Sequence, residues 1–136
     1  MEPINWIAVI LAAILAVAIG LAWYGPLFGA APIFERLGER GGTPPGPVRS
    51  MLGAVLLHAL SALLLGHMYA RIGTETLDAK PWLYWMQAGG IAIGFIIPAL
   101  CIGGTRHRRP LRETLVDSLF WLVVYLATGT VFWVLG

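Results

Sequence analysis

Residues 6–22 read WIAVILAAILAVAIGLA, a run without one charged side chain. Strands of a membrane barrel alternate polar and apolar residues, and this run does not alternate, so a helix is the only spanning structure left to it. With its flanks it reaches from about Ile4 to Tyr24, which matches the roughly 20 helical residues that cross about 30 Å of hydrocarbon. Three more stretches have the same character, over about residues 51–69, 82–101 and 115–135, and the one charged side chain in all four is Asp117.

Composition agrees with that reading. Of 136 residues, 58% are hydrophobic and 12% charged, too little polar surface to cover a water-soluble domain of this size. The expectation is an all-α polytopic membrane protein: one domain over residues 1–136, four transmembrane helices in a bundle, and a Pro/Gly-rich cytoplasmic loop over 25–50. Ala16-Val17-Ala18 has the small-x-small form of a signal-peptide cleavage site. The region before it carries Glu2 and no Lys or Arg, and the apolar run continues past the cut, so the segment is expected to stay on the protein.

Basic residues set the orientation, because Lys and Arg are retained on the cytoplasmic side. The first loop has Arg36, Arg40 and Arg49 and the third has Arg106, Arg108, Arg109 and Arg112, against Arg71 and Lys80 in the second. Loops one and three are therefore expected in the cytoplasm and both termini outside. At the cytoplasmic boundary Trp23 and Tyr24 read as interface anchors, as does Trp82 at the start of the third helix. Gly25-Pro26 is expected to end the first helix, since proline has no N–H to donate and disfavours helical geometry in the residue before it. LFGAAPIFERLGER then mixes apolar and charged residues as a segment lying on the membrane surface does, and GGTPPGPV is expected to be an extended linker.

Asn5-Trp6, the run Trp23-Tyr24-x-Pro26-Leu27-Phe28-Gly29, Gly94-Phe95 with Pro98, and Arg109-Pro110-Leu111 together resemble the bacterial family catalogued as domain of unknown function 1761, over nearly the whole chain. The chain departs from the family pattern in Asp117-Ser118, where an Asn-rich start to the last helix is common, and in His58. The resemblance implies four membrane helices and supplies no catalytic residues; the expected location is a bacterial inner (cytoplasmic) membrane.

Small residues mark where helices can approach closely. Ala8, Ala12, Ala16 and Gly20 recur every four residues in the first helix; Ala54, Ala62 and Gly66 form a stripe interrupted by His58 in the second; the third has Gly90-x-x-x-Gly94. Such seams suit helix packing, within the chain or with a second subunit.

Two polar residues fall inside the membrane. His58 lies about 10 Å into the second helix on its small-residue face. It reads as a neutral histidine bonded to a neighbouring helix, as a tetrapyrrole or metal ligand, or as a proton relay. Asp117 reads as a residue near the start of the last helix, held by the helix dipole and by Arg112 or Arg109, or as a partner of Arg49 or His58 across helices.

In the basic loop, Arg106, Arg108, Arg109 and Arg112 are placed to meet anionic lipid headgroups. The loop is too short to build a nucleic-acid site. No P-loop, dinucleotide fingerprint, zinc spacing or nucleophile elbow occurs, and the single Cys101 excludes an intramolecular disulfide. The expectation is a small integral membrane protein that is not an enzyme, with no cofactor, acting by association as a homo-oligomer or an auxiliary subunit of a larger membrane complex. The alternative is a tetrapyrrole-binding or small-molecule or proton transport protein centred on His58.

Overall fold

A computed structural model describes residues 3–28 and 47–136. The surface segment and the linker expected after Phe28 fall outside the described residues almost entirely. Within them, α1 spans Trp6–Ala22, α2 Pro47–Ile72, a short α3 Thr74–Ala79, α4 Leu83–Arg106 and α5 Leu111–Leu135. Four stretches of these helices are long and apolar enough to cross a membrane: Trp6–Gly25, Met51–Ile72, Leu83–Arg106 and Leu111–Leu135.

Each helix begins or bends for a local reason. Asn5 caps α1, its side-chain oxygen accepting the Ala8 N–H at 3.0 Å, while its amide donates to the Leu135 carbonyl at 2.7 Å and ties the two ends of the chain's helical part together. α1 does not stop at Gly25-Pro26 as expected. Pro26 has no N–H for the Ala22 carbonyl, and the helix widens into a π turn over Trp23–Leu27 in which the Phe28 N–H reaches the Trp23 carbonyl at 3.1 Å. Pro98 has the same effect in α4. A π turn over Ala92–Ile96 precedes it, the Ile97 N–H bonding the Ala92 carbonyl. α2 starts at Pro47, earlier than expected, within the stretch assigned to an extended linker. A proline is tolerated in a first helical turn, where its N–H would have had no partner in the helix.

The order of packing is α2, α1, α5, α4: α1 lies against both α2 and α5, and α4 lies chiefly against α5. Lipid is as apolar as leucine, so close packing, not removal from water, holds such a bundle together. Ala8, Ala12 and Ala16 are buried, and rings of α5 lie on glycines of both α1 and α2: a Cβ on Gly20 would stand 3.6 Å from Phe120, and one on Gly66 of α2 would stand 3.0 Å from Phe132. Ala62 is buried on α2 and Ala54 is half-buried. The backbones of α4 and α5 come close at Gly129, where a Cβ would stand 2.9 Å from the Tyr84 carbonyl. Trp85 adds a hydrogen bond across the same pair of helices, its indole N–H donating to the Thr130 hydroxyl at 2.9 Å.

The α4 seam is not the expected one. Ala88, Gly89 and Ala92 face α5, whereas Gly90 and Gly94 are exposed, with no atom of another described element within 4 Å of where a Cβ would stand. One residue is 100° of helix, enough to turn Gly90 and Gly94 out of the contact that Gly89 makes.

Candidate functional site

Tyr24, His58, Thr114, Asp117 and Ser118, all buried or half-buried, gather towards the end where α1 finishes and α5 begins. α5 starts at Leu111, so Asp117 lies nearly two turns into the helix and not in its first turn. The helix dipole fades within one turn, and other groups must satisfy this carboxylate. The Tyr24 hydroxyl donates to Oδ1 at 2.7 Å, and the Arg109 guanidinium donates to Oδ2 at 3.1 Å. Among the described residues each carboxylate oxygen thus has one donor, from two different segments of the chain. The Asp117 side chain is 13% exposed and that of Arg109 33%, so the ion pair sits at a boundary, with its acid end turned into the protein.

Local backbone geometry aims both donors. The π turn carries Tyr24 onto the α5 side, where its ring lies 5.0 Å from Phe120. Arg109 is aimed by the way α4 ends. The Arg109 N–H bonds the Gly104 carbonyl at 2.9 Å and the Arg108 N–H bonds the Thr105 carbonyl at 3.2 Å, the paired bonds of a Schellman motif. Arg108 takes the left-handed position at φ 53°, which glycine usually fills, and Pro110 then starts the extended step into α5.

Aromatic rings close the cluster from within. Trp23 lies 4.7 Å from Phe28 and 6.2 Å from Phe120; His58 lies 6.4 Å from Phe120 and 5.2 Å from Trp121. His58 is buried at 8% exposure, and among the described residues nothing hydrogen-bonds its ring. The Trp23 indole N–H is also buried without a hydrogen-bond partner among the described residues. Ser118 and Thr128 turn their hydroxyls back onto the carbonyls of Thr114 and Val124, at 2.7 and 2.9 Å.

Several expectations change here. Trp23 and Tyr24 are not simple anchors in the headgroups: both rings are half-buried and turned towards α5, because Asp117 and Phe120 give them partners there. Trp82, at 55% exposure, does sit outside the packed interior. Asp117 pairs with Arg109, not Arg112, and with Tyr24, not His58; the Arg49 side chain lies outside what is described. Arg106, Arg108 and Arg112 are exposed, while Arg109 is drawn from that group onto the carboxylate. Tyr24 as the acceptor's second partner was missed in the sequence, although antiparallel neighbours place the end of the first helix beside the start of the last.

The arrangement can hold a negative charge at fixed position and tie α1 to α5. It offers no activated nucleophile, and among the described residues no group of three His, Cys, Asp or Glu side chains converges to hold a metal ion. No curated protein and no solved structure matches the chain. Residues 7–133 match the family model described as "Protein of unknown function (DUF1761)", and the chain belongs to that family.

Proposed function

We propose that this DUF1761 protein is not an enzyme and works by association in the membrane, as a homo-oligomer or as an auxiliary subunit of a larger membrane complex. The observation that supports this is the uncovered face of α4. Gly90 and Gly94 lie four residues apart with none of the described residues against them, beside Phe95 at 74% exposure. Each glycine costs a helix interior about 1 kcal/mol relative to alanine, and a helix that only faced lipid would gain nothing from that cost. Two glycines on one face let a partner backbone lie close, the usual basis of helix association in lipid.

In this reading the protein sits in a bacterial inner membrane with loops one and three in the cytoplasm. Arg106, Arg108 and Arg112 then meet anionic headgroups. The Tyr24–Asp117–Arg109 cluster keeps α1 against α5 at that same boundary, so the α4 face is presented by a rigid bundle. Nucleic acid is not a partner.

Gentle extraction from native membranes followed by native mass spectrometry tests this. A closed oligomer or a defined larger assembly is expected, and a monomer travelling without partners overturns the proposal.

A second reading rests on His58, whose buried ring has no hydrogen bond from the described residues. A tetrapyrrole would take that imidazole as a ligand. An absorption band lost on His58→Ala supports this reading, and a colourless protein from native membranes removes it.

A further inference from the structure

The opposite end of the bundle holds a half-open cleft of about 410 Å³. That is within the range of small-molecule sites, which run from about 300 to 1,000 Å³. Parts of α2, α3, α4 and α5 and the segment before α1 frame it. Tyr69, Tyr84 and Phe132 form an aromatic wall, with Tyr69 4.9 Å from Tyr84 and 5.1 Å from Phe132. Leu77, buried at 3% exposure, closes the side formed by α3, and Ile4 and Asn5 form the rim on the α1 side.

The chemistry of the lining is selective. The second loop carries Arg71, Glu75, Asp78 and Lys80, yet all four are exposed, and among the described residues no charged side chain lines the cleft. A charged ligand would lose its hydration there with nothing to replace it. The polar groups present are few and already oriented. The Tyr69 hydroxyl donates to the Tyr84 carbonyl at 2.7 Å, which leaves its oxygen as an acceptor, and Asn5 is fixed by its two bonds to Ala8 and Leu135. The three rings are 3–5% exposed, so a ligand meets only the parts of them that reach the cleft, where a further ring packs in offset or tilted contact.

We infer that this cleft is a binding site for a small, uncharged, ring-bearing amphiphile: one fused or single aromatic ring system with one hydrogen-bonding group, entering where the bundle meets the outer membrane boundary. The site is separate from the α4 face and from the Tyr24–Asp117–Arg109 cluster, and it does not depend on either.

The test uses the full chain in lipid nanodiscs and a matched pair of probes, 2-naphthol and 2-naphthalenesulfonate, with empty nanodiscs subtracted. Calorimetry should show saturable binding of 2-naphthol at one per chain, with the sulfonate at least tenfold weaker. Two substitutions fill the cleft from different sides, Ala70→Leu from α2 and Ile4→Trp from the α1 rim; each should weaken 2-naphthol at least tenfold while the helical circular dichroism spectrum is kept. Should Ala70→Leu fail to fold, Ile4→Trp, at a half-buried position before α1, decides the matter. Absence of saturable binding to the unsubstituted protein overturns the inference. So does equal affinity for the two probes, or unchanged affinity in a folded cleft-filling variant.

Discussion

Removing the Tyr24 hydroxyl should weaken the protein by an amount that depends on Asp117 being a carboxylate. The bond is short, 2.7 Å, and its acceptor is a carboxylate whose side chain is only 13% exposed. Hydrogen bonds to charged groups contribute about 1.5–3 kcal/mol in water-soluble proteins. Bonds between membrane helices average about 0.6 kcal/mol and reach about 1.7 in double-mutant cycles. A charged acceptor at a partly wetted boundary belongs near the top of the membrane range, about 1–1.5 kcal/mol. Tyr24→Phe should therefore cost that much, and in an Asp117→Leu background it should cost little, so the cycle should give a coupling near 1 kcal/mol. Arg109→Gln should cost more than Tyr24→Phe, about 2–3 kcal/mol, because it leaves a mostly buried carboxylate without its counter-charge; the full penalty for a deeply buried pair is larger, but Arg109 is one-third exposed. Reversible unfolding in mixed micelles, followed by circular dichroism, measures all of these. A coupling below about 0.3 kcal/mol, or an Arg109→Gln variant as stable as the parent, would refute the reasoning that this cluster ties α1 to α5.

Other outcomes follow from single positions. Gly129→Val should destabilise the α4–α5 pair by about 1–3 kcal/mol, because its Cβ must displace the Tyr84 carbonyl; Gly90→Ala, with open space around it, should leave the stability of the single chain unchanged or raised in the same unfolding assay. Arg108→Gly should stabilise by about 0.5–1 kcal/mol, since glycine takes the left-handed position at φ 53° without strain, and a rise in unfolding midpoint checks it. For sidedness, single cysteines placed by Asp78→Cys and Thr105→Cys in a Cys101→Ser background should differ in intact cells: an impermeant maleimide added outside should label the first and spare the second.

The four helices were legible because a long apolar run without alternation has few physical solutions in a membrane. The details that escaped are those decided by which way a helix is turned. Gly90-x-x-x-Gly94 and Ala88-Gly89 are both small-residue patterns one position apart, and only the packing on α5 separates the covered one from the uncovered one. Gly25-Pro26 carried a correct signal of a lost N–H, but a π turn absorbs that loss while keeping the chain helical, and local sequence does not distinguish the two outcomes. Asp117 stood out as the sole charge in an apolar helix. Arg109 was one of two partners that proximity along the chain allowed, whereas Tyr24 is 93 residues away and meets Asp117 only because α1 and α5 pack side by side. The cleft at the other end had no signature in the sequence, since its lining is drawn from four helices and from the segment before α1.

The central claim is that α4 presents its uncovered face to another membrane helix. Cross-linking in native membranes tests this directly, with a single cysteine introduced as Gly90→Cys in the Cys101→Ser background and compared with Leu57→Cys, an exposed position on α2. The account predicts a discrete covalent product from Gly90→Cys, either at twice the mass of the chain or at the mass of the chain plus one partner, and little from Leu57→Cys. A Gly90→Cys protein that stays monomeric, or that cross-links no better than Leu57→Cys, would contradict it.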